Sequence, residues 1–524
     1  MSETAQSTET PTYPHVFIDD ILEQIKNNDS GAPRKHVAIL GGGMAGLTAA
    51  YELLNLGHTV EIIEASERTG GRVWTHHFSD ESYNELGAMR VPLSHDYTLH
   101  YVNKMGLDPK WIPFINSTPQ GFWDIHDVIT NNTPEEVQNE IYPKFKLSEF
   151  FSNTPSGGAI FGSLLANVIN TLTAAEINSL FEGNMDTDYL RYLDNLSLGE
   201  FLRRNAGMDA KEVAGVFTSL EVWSDKSITM FIRDEIVGTG EGLRTLDGGM
   251  DQLPKRLTGH VRTNVVYHTE VLGITRDEEN AVEIHTRNNE TGESETKAYD
   301  YVLCTIPFSV MRRLKLQGLT YGKMRAIRNM AYANATKVLL DCDQRFWQNP
   351  EGYGILGGSS ISDNIQRQTY YPMNNLKVTS TSNRSLCHGL HTSADGEYTV
   401  EPAGDWNIPG AITGAYCWGR DARRLGVLDE ENRRRVVVQN IERYMPELDN
   451  HVVGSVSIDW EQYKWAAGAF AFFRPGDINL YFQDAISAEG RLFFAGEHCS
   501  TDPAWIQGAL ISSLRAVNEI VSIR

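Results

Sequence analysis

The sequence predicts a mixed α/β fold whose Rossmann-like nucleotide-binding domain is assembled from separate parts of the chain. A strand, a glycine turn, a helix and a second strand follow one another between His36 and Glu64. Strand-like runs return after residue 260, and a late strand and helix begin at Arg491. From about Trp111 to Arg233, apolar residues recur at the three- and four-residue spacing of helices. At 524 residues, the chain is long enough for two or three domains.

The first of these parts is a dinucleotide-binding unit. The apolar run HVAIL predicts a buried strand, and Gly41-x-Gly43-x-x-Gly46 turns it into a helix. Gly41 permits the sharp turn, Gly43 lets the backbone approach a pyrophosphate, and Gly46 allows close packing of helix and strand. Met44 and Ala45 open the helix, whose unpaired N–H groups attract phosphate.

A carboxylate ends the second strand of this unit. Glu64 lies 18 residues beyond Gly46 and precedes Ala65, and an acidic side chain there accepts hydrogen bonds from ribose hydroxyls. Arg68 and Arg72 flank a glycine turn just beyond it. This arrangement favours a second contact with the pyrophosphate of an extended FAD over a nicotinamide cofactor.

We predict three domains from the order of these elements. They are a nucleotide-binding domain (residues 36–75, 245–330 and 485–524), a substrate-binding domain with a mixed sheet (1–35, 76–140 and 331–484) and a helical domain (141–244). The first and last strand–helix units are expected to lie side by side. Residues 1–35 are expected to form a frayed leader with one amphipathic helix at residues 17–28.

Composition and charge argue against several functions. The net charge of −22 at pH 7 disfavours binding to nucleic acid or to an anionic membrane. The N-terminus lacks the basic start and apolar core of a secretory signal, and the most apolar window, residues 159–172, is too short to span a bilayer. We therefore expect a cytoplasmic or otherwise soluble protein, with secretion of a processed precursor left open. The five cysteines form no CxxC pair, and no metal-binding motif occurs.

The segment Gly87-Ala88-Met89-Arg90-Val91-Pro92 resembles the L-amino acid oxidase family of the flavin amine oxidase superfamily. The resemblance extends from about residue 36 to 520 and implies a FAD-binding domain of the glutathione-reductase/amine-oxidase type. In the family this segment passes the flavin ring, so Gly87, Ala88 and Met89 are implied FAD contacts. Its arginine, here Arg90, also pairs with the substrate α-carboxylate, which a planar guanidinium can hold bidentately.

Further matches assign roles to the remaining site residues by the same resemblance. Lys337 in NATKVLL matches a lysine that holds a water near flavin N5, and Tyr416 in ITGAYCWG matches a second carboxylate ligand. Ala504 and Trp505 match the segment that flanks the substrate amine, and Phe470 is assigned to the substrate pocket. The other implied FAD contacts are Val271 at the adenine, Trp460 beside the flavin ring, Glu497, and Ile506, Gln507, Gly508 and Ala509 at the start of the last helix.

Several of these residues have a purely structural alternative. Trp460, Trp505 and Phe470 are also what an ordinary aromatic core contains. Lys337 differs, because a lysine inside an apolar strand is costly unless it is paired or functional. Residues 466–473 contain no cysteine where monoamine oxidases carry the thiol that bonds to flavin, so non-covalent FAD is expected.

The chain departs from the family at three positions. Ala504 stands where relatives often have glycine, and Ala88 where they have proline; both changes are small. Arg233 aligns with a histidine that lines the side-chain pocket in some relatives. An arginine there would bind an acidic substrate side chain or point to solvent, with the adjacent Asp234 and Glu235 able to neutralise it. Acidic and broad selectivity therefore both stay open.

The resemblance implies FAD-dependent oxidative deamination of L-α-amino acids. Arg90 and Tyr416 anchor the carboxylate, the Cα hydrogen leaves as hydride towards flavin N5, and dioxygen reoxidises the flavin with help from Lys337. The products are a 2-oxo acid, ammonia and hydrogen peroxide. The alternatives are a monoamine or polyamine oxidase, an amino-acid dehydrogenase with another electron acceptor, and a flavin-binding protein with an inactive site. The implied partners are the amino acid and O2, with a homodimer or larger homo-oligomer expected.

Overall fold

A computed structural model describes residues 16–147, 152–153, 157–207, 223–240, 242–277, 281–380 and 398–524. Numbered in chain order, the helices are α1 (Ile18–Asp29), α2 (Met44–Asn55), α3 (Asp96–Lys104), α4 (Pro134–Glu136), α5 (Gly157–Ile169), α6 (Ala174–Glu182), α7 (Asp188–Asp194), α8 (Leu198–Ala206), α9 (Ile228–Val237), α10 (Gln252–Val261), α11 (Phe308–Met311), α12 (Tyr321–Asn329), α13 (Gly419–Gly426), α14 (Glu430–Ile441), α15 (Leu448–His451), α16 (Gln483–Ile486) and α17 (Ile506–Ser522). The strands are β1 (His36–Leu40), β2 (Thr59–Ile63), β3 (Thr75–His77), β4 (Tyr83–Glu85), β5 (Trp111–Pro113), β6 (Phe122–Ile125), β7 (Val128–Asn131), β8 (Arg244–Leu246), β9 (Val265–Val266), β10 (Thr269–Arg276), β11 (Val282–Asn288), β12 (Ser294–Tyr299), β13 (Tyr301–Cys304), β14 (Lys315–Gln317), β15 (Ala331–Ala333), β16 (Ala335–Cys342), β17 (Ser359–Ser362), β18 (Gln368–Tyr370), β19 (Leu376–Ser380), β20 (Tyr398–Pro402), β21 (Gly410–Trp418), β22 (Val452–Asp459), β23 (Phe470–Phe472) and β24 (Leu492–Phe494).

Five parallel strands form the sheet that carries the glycine turn, in the order β24-β13-β1-β2-β9. β1 and β2 are the strands predicted from the start of the chain, and the other three come from its later parts. Helices α2 and α17 pack against each other. β13, however, lies between β1 and β24. The expected side-by-side placement is therefore confirmed for the two helices and wrong for the two strands.

A second, mixed sheet carries the other half of the cavity described below. Its order is β22-β16-β21-β18-β17-β6-β7, with antiparallel pairing except between β17 and β6. The central strands β16 and β21 are buried along almost their whole length, as near-continuous apolar runs predict. In their register, Lys337 lies opposite Tyr416. A third sheet has the strand order β12-β11-β10-β14.

The helical stretch begins later than the composition indicates. The predicted helix-rich segment from Trp111 opens instead with three strands. β7 pairs with the adjacent β6, whereas β5 pairs with β8 and β6 with β17, both far along the chain. Such pairing is non-local, and helical spacing in the segment does not report it. Helices α5–α9 then fill most of residues 157–237, and Thr173 and Glu176 form a capping box at the start of α6. Residues 210–222, also predicted to be helical, lie outside the described residues.

The leader is partly packed. Helix α1 matches the predicted amphipathic helix within one residue, and its Ile18, Ile21 and Ile25 are buried against the rest of the molecule. It contacts α17 and α3, so this part of the leader is not frayed. Among the described residues, no helix combines the length and apolar character required to cross a membrane.

Candidate active site

The glycine turn opens onto a cavity at the carboxyl ends of β1 and β2. Gly41 has φ 104°, and a Cβ on Gly46 would lie 2.0 Å from the Gly41 carbonyl oxygen. A side chain at Gly46 would therefore force helix and strand apart. A Cβ on Gly43 would meet nothing within 4 Å, so the backbone there is open to the cavity. These three environments match the predicted roles of turn, open approach and close packing.

Glu64 lies at the end of β2 and is held in a fixed orientation. Its carboxylate accepts the Gly42 N–H at 2.7 Å through one oxygen and the Ser66 N–H and hydroxyl at 2.9 and 2.8 Å through the other. Oε1 thus already accepts two hydrogen bonds, whereas Oε2 accepts one and has room for a further donor. Glu64 and Ala65 both line the cavity.

The two arginines beyond Glu64 differ in what they bind. Arg68 lies with its guanidinium 4.0 Å from the Trp74 ring centroid and donates to backbone carbonyls of its own loop, so it braces that loop. Arg72 donates to Glu497 at 2.7 Å and to the Ala469 carbonyl at 3.0 Å. The predicted pair of pyrophosphate cations is thus divided, with Arg68 committed to the loop and Arg72 crossing to the C-terminal segment.

Glu497 joins three parts of the cavity wall. Besides Arg72, its buried carboxylate accepts the backbone N–H groups of Ala471 at 3.1 Å and Ala504 at 2.9 Å. Ala504 has φ 72°, a left-handed conformation that glycine adopts more easily than alanine. The replacement of the family's glycine by Ala504 therefore carries a backbone cost that its small size did not suggest.

Most of the predicted cofactor and substrate residues border this single cavity. Those in its lining are Gly41, Gly43, Met44, Ala45, Glu64, Ala65, Arg72, Gly87, Ala88, Val271, Lys337, Tyr416, Trp460, Phe470, Glu497, Ala504, Trp505, Ile506 and Ala509. Open backbone at a helix N-terminus, a carboxylate at a strand end and a second helix start fit an extended dinucleotide such as FAD. Gly46, Met89, Arg90, Arg233, Gln507 and Gly508 lie outside that lining.

Two residues at the start of α17 contribute no side chain to the cavity. The Gln507 amide accepts from Thr98 and donates to Asp96 at 2.8 Å, which attaches α3 to α17. A Cβ on Gly508 would lie 2.1 Å from the Asp502 carbonyl oxygen. Any FAD contact from these two positions is therefore left to their backbone N–H groups.

Lys337 is buried in the wall of the cavity. Its Nζ donates to the carbonyls of Glu85 at 3.0 Å and Gly87 at 2.8 Å and lies 4.5 Å from the Tyr416 ring centroid. Burial lowers the pKa of Lys337 to about 7, which outweighs the opposing charge of Glu85. Burial therefore makes Lys337 a weaker base than an exposed lysine.

Glu85 is a buried carboxylate that the sequence did not single out. It accepts the Thr75 hydroxyl at 2.9 Å and the Met250 N–H at 2.7 Å. Burial raises the pKa of Glu85 to about 7, against the opposing effects of these donors and of Lys337. Glu85 and Lys337 thus titrate as an interacting pair.

Arg90 directly follows Gly87, Ala88 and Met89, the implied flavin contacts, and its side-chain neighbours are polar and aromatic. Its guanidinium donates to the Asn116 side chain and to the Tyr370 hydroxyl at 3.3 Å. The Tyr370 ring in turn lies 6.4 Å from the Tyr416 ring. The positive charge of Arg90 acts on both Tyr416 and Lys337, and burial raises the pKa of Tyr416.

Tyr416 is also the first of four aromatic side chains that form a cluster. Successive ring centroids lie 4.6 Å apart for Tyr416 and Trp418, 5.8 Å for Trp418 and Trp223, and 5.3 Å for Trp223 and Phe470, which are stacked. Tyr416 and Phe470, at the two ends of this cluster, line the cavity. Trp223 comes from the helical stretch, and we did not predict it.

Arg233 is enclosed by the protein, which excludes the solvent-facing one of its two predicted environments. It is buried on α9 and donates to Asp502 at 3.0 Å, so it does not point to solvent. Its hydrogen-bonded counter-ion is Asp502, 269 residues away, and not the adjacent Asp234 or Glu235. Burial lowers the pKa of Arg233, with Asp502 and Asp234 opposing that shift. Asp234 thus contributes to the neutralisation expected from the sequence, and Asp502 is a hydrogen-bonded partner that the sequence did not indicate.

Two tryptophans complete the wall. Trp460 is buried and donates through Nε1 to the Leu86 carbonyl at 3.0 Å, next to the Gly87–Arg90 segment. Trp505 caps α17 and meets the His95 ring edge-on at 4.9 Å. Both border the cavity, so neither is only a core residue.

Comparison with known proteins identifies the relatives of this chain. The family model for flavin containing amine oxidoreductases matches residues 44–521. The flavin-dependent L-tryptophan oxidase RebO of Lentzea aerocolonigenes is 33% identical over 507 residues, which cover 93% of this chain and 98% of the relative. The putative L-amino-acid oxidase YobN of Bacillus subtilis strain 168 is 32% identical over 518 residues, covering 96% and 98%. Putrescine oxidase bound to putrescine shares the fold, with a TM-score of 0.65 at 16% identity over 94% of this chain and 99% of that chain.

Proposed function

This chain belongs to the flavin-containing amine oxidoreductase family, as its motifs predicted, and we propose that it oxidatively deaminates L-α-amino acids. The proposed products are a 2-oxo acid, ammonia and hydrogen peroxide. Both the L-tryptophan oxidase and the putative L-amino-acid oxidase match it over almost their whole length, which supports an amino acid as the substrate.

The cofactor is FAD, in keeping with the family's dependence on flavin. When bound, FAD supplies the two-electron oxidation by accepting the substrate's Cα hydride, and dioxygen is the proposed final acceptor. We assign the ribose contact to Glu64, the pyrophosphate contacts to the Gly43–Ala45 backbone, and the adenine contact to Val271. Non-covalent attachment and assembly as a homodimer or larger oligomer remain predictions.

One observation carries the assignment to amino acids. Tyr416 and Lys337 contact each other in the lining of the cavity that the dinucleotide residues share, and the charge of Arg90, which lies outside that lining, acts on both. A guanidinium and a phenol are donors suited to a carboxylate, whereas an amine without a carboxylate needs neither. Asn116 and Tyr370 orient Arg90 through hydrogen bonds. We therefore assign the substrate α-carboxylate to Arg90 and Tyr416, with Ala504 and Trp505 facing the amine.

We assign proton transfer during turnover to Lys337. Two carbonyls fix its Nζ at the cavity wall, and burial keeps its pKa near neutrality. A group with both forms populated at the working pH is suited to give or take a proton during turnover. Because Lys337 is buried, little water screens its charge, which therefore interacts more strongly with other charges at the cavity.

The cluster of rings favours a large apolar or aromatic substrate side chain. Tyr416 and Phe470 line the cavity, and Trp418 and Trp223 connect them outside its lining. Aromatic rings of this kind pack favourably against a flat side chain. Arg233, the residue that left acidic selectivity open, already has a carboxylate partner in Asp502. This preference agrees with the tryptophan-oxidising relative.

A peroxide-coupled screen under air tests the proposal. The purified holoenzyme is given each of the twenty L-amino acids, the D-isomers of those that react, and the matching decarboxylated amines. We expect peroxide from L-tryptophan, L-phenylalanine or L-methionine, and none above background from their D-isomers or amines. Turnover of amines as fast as amino acids would contradict it. Anaerobic loss of flavin colour without peroxide under air would identify a dehydrogenase instead.

A further inference from the structure

A second pocket lies on the outer side of the loop that borders the FAD cavity. Residues 460–470 line the cavity through Trp460, Ala466 and Ala469, while Ala467 and Gly468 face this other pocket. The pocket has a volume of about 360 Å³, within the roughly 300–1,000 Å³ of small-molecule sites. It is open to solvent and shares no lining residue with the FAD cavity.

Four arginines converge on this space from four different elements. They are Arg312 after α11, Arg328 in the last turn of α12, Arg423 in α13 and Arg474 after β23, and we call the space the arginine pocket. Glu461 is the only acidic residue among its described lining. Four cations against one carboxylate contrast with a chain whose net charge is −22. A concave positive site of this kind concentrates small anions.

Two of the arginines are held in place by backbone. Arg312 donates through Nε to the Ile327 carbonyl at 2.8 Å and through Nη2 to the Met330 carbonyl. Arg474 donates to the Asn329 carbonyl at 3.1 Å and pairs with Asp477. Burial lowers the pKa of Arg312, and the like charge of Arg474 also lowers it, against the opposing effects of Tyr332 and Tyr481. Both arginines already use Nε and Nη2 within the protein, so each is held in a fixed position from which its remaining Nη hydrogens and its charge can act on an anion.

The other two arginines differ in how far they are neutralised. Arg423 makes a bidentate pair with Glu461 at 2.7 and 3.0 Å. Arg328 is exposed and has no hydrogen-bond or ion-pair partner among the described residues. The pocket therefore keeps a positive charge that the protein itself does not cancel. Like-charged groups that line one pocket repel each other, and an anion bound between them offsets that repulsion.

We propose that the arginine pocket binds a phosphate-bearing small molecule, at a site separate from the FAD cavity. A phosphate group accepts several parallel N–H donors, and a di- or triphosphate carries enough charge to bridge the arginines on opposite walls. A bound ligand of this kind contacts the Ala467–Gly468 segment, whose other side borders the flavin cavity.

Calorimetric titration of the FAD-loaded protein with pyrophosphate, at constant ionic strength, tests the proposal. FAD in the holoenzyme occupies the other pyrophosphate-binding position, so the heat reports on the second pocket. We expect saturable binding, weakened at least about tenfold by Arg328→Gln, since one charge-assisted contact is lost. The matched control is Arg203→Gln, which removes an exposed arginine of α8 without a described partner and should leave the affinity unchanged. Arg423→Gln provides a second pocket variant.

The same titration separates the proposal from its rivals. Absence of saturable heat, or equal affinities of parent and Arg328→Gln, would overturn the site. Succinate at the same ionic strength should bind at least about tenfold more weakly than pyrophosphate. Equal binding of the dicarboxylate would overturn the assignment to phosphate.

Discussion

Two lysines of this protein, Lys337 and Lys323, have almost the same immediate surroundings. Each is buried, donates to two backbone carbonyl oxygens within 3.0 Å, and faces an aromatic ring, at 4.5 Å from Tyr416 and 3.8 Å from Phe494 respectively. Burial lowers both pKa values, to about 7 for Lys337 and about 8 for Lys323.

The two sites differ in what lies one step further out. Lys337 borders the FAD cavity, whereas Lys323 ties α12 to the Ala485–Ser487 backbone and is absent from that cavity's lining. Each is influenced by one glutamate and one arginine, Glu85 and Arg90 for Lys337 and Glu489 and Arg515 for Lys323. A buried lysine with carbonyl partners is thus not by itself a sign of function. Access to a cavity distinguishes a reactive lysine from a structural one.

The largest expected effect comes from removing each lysine in turn. Lys337→Met should lower kcat by about 10²–10⁴-fold, the range for a lost proton-transferring group. Lys323→Met should leave kcat per bound flavin unchanged while lowering the melting temperature, because two buried carbonyls lose their donor. Oxygen consumption at saturating amino acid and a flavin-based melting curve measure the two quantities. Equal losses of kcat would remove the distinction between the sites.

Substitution of Arg90 tests whether this residue binds the substrate carboxylate. Arg90→Ala removes a charged hydrogen-bond donor, so KM for the preferred amino acid should rise about 10- to 150-fold. Arg90→Lys keeps the charge but not the planar guanidinium, so its KM should lie between those of the parent protein and Arg90→Ala. The matching decarboxylated amine serves as control ligand, since its slow reaction should not change. A KM unaffected by Arg90→Ala would move the carboxylate contact elsewhere.

Glu85 extends the comparison to pH. Its carboxylate raises the pKa of Lys337, in opposition to the larger effect of burial, so Glu85→Gln should let Lys337 lose its proton at lower pH. The apparent pKa near 7 in the kcat profile should therefore move down. Asp194→Asn, which removes another buried carboxylate with a raised pKa, about 6, should leave that profile unchanged. An upward or absent shift with Glu85→Gln would separate Glu85 from the function of Lys337.

The smallest expected effect concerns two alanines with positive φ. Ala504 has φ 72° at the cavity and Ala467 has φ 49° outside it. Either one replaced by glycine should gain about 0.5–1 kcal/mol of unfolding free energy, because relief of left-handed strain exceeds the added chain entropy. Denaturant titration measures this gain. Only Ala504→Gly should also change KM, since Ala467 does not border the FAD cavity.

The nucleotide half of the site was predictable because its signals are local. Glycine spacing, a terminal carboxylate and helix starts lie within about 30 residues of each other and specify one strand–turn–helix–strand unit. The roles of Arg90, Lys337 and Tyr416 came from resemblance and remain proposals, although the structure brings all three together.

The remainder depends on contacts between distant parts of the chain. Arg90 meets Tyr370 across 280 residues, and Arg233 meets Asp502 across 269, with no spacing pattern to indicate either pair. The strands near Trp111 were mistaken for the start of a helical stretch because their partners lie far along the chain. Glu85 alone had an available signal, as an acid two residues before the Gly87–Arg90 segment.

The most direct test of an amino-acid oxidase is the anaerobic reduction of bound flavin by two ligands that differ only in a carboxylate. L-tryptophan and tryptamine share the same side chain and amine. We expect L-tryptophan to bleach the flavin absorbance of the parent protein at low concentration, tryptamine to react far more slowly, and Arg90→Ala to abolish most of that difference. Equal bleaching rates for the two ligands in the parent protein would contradict the assignment of Arg90, and with it the proposed substrate class.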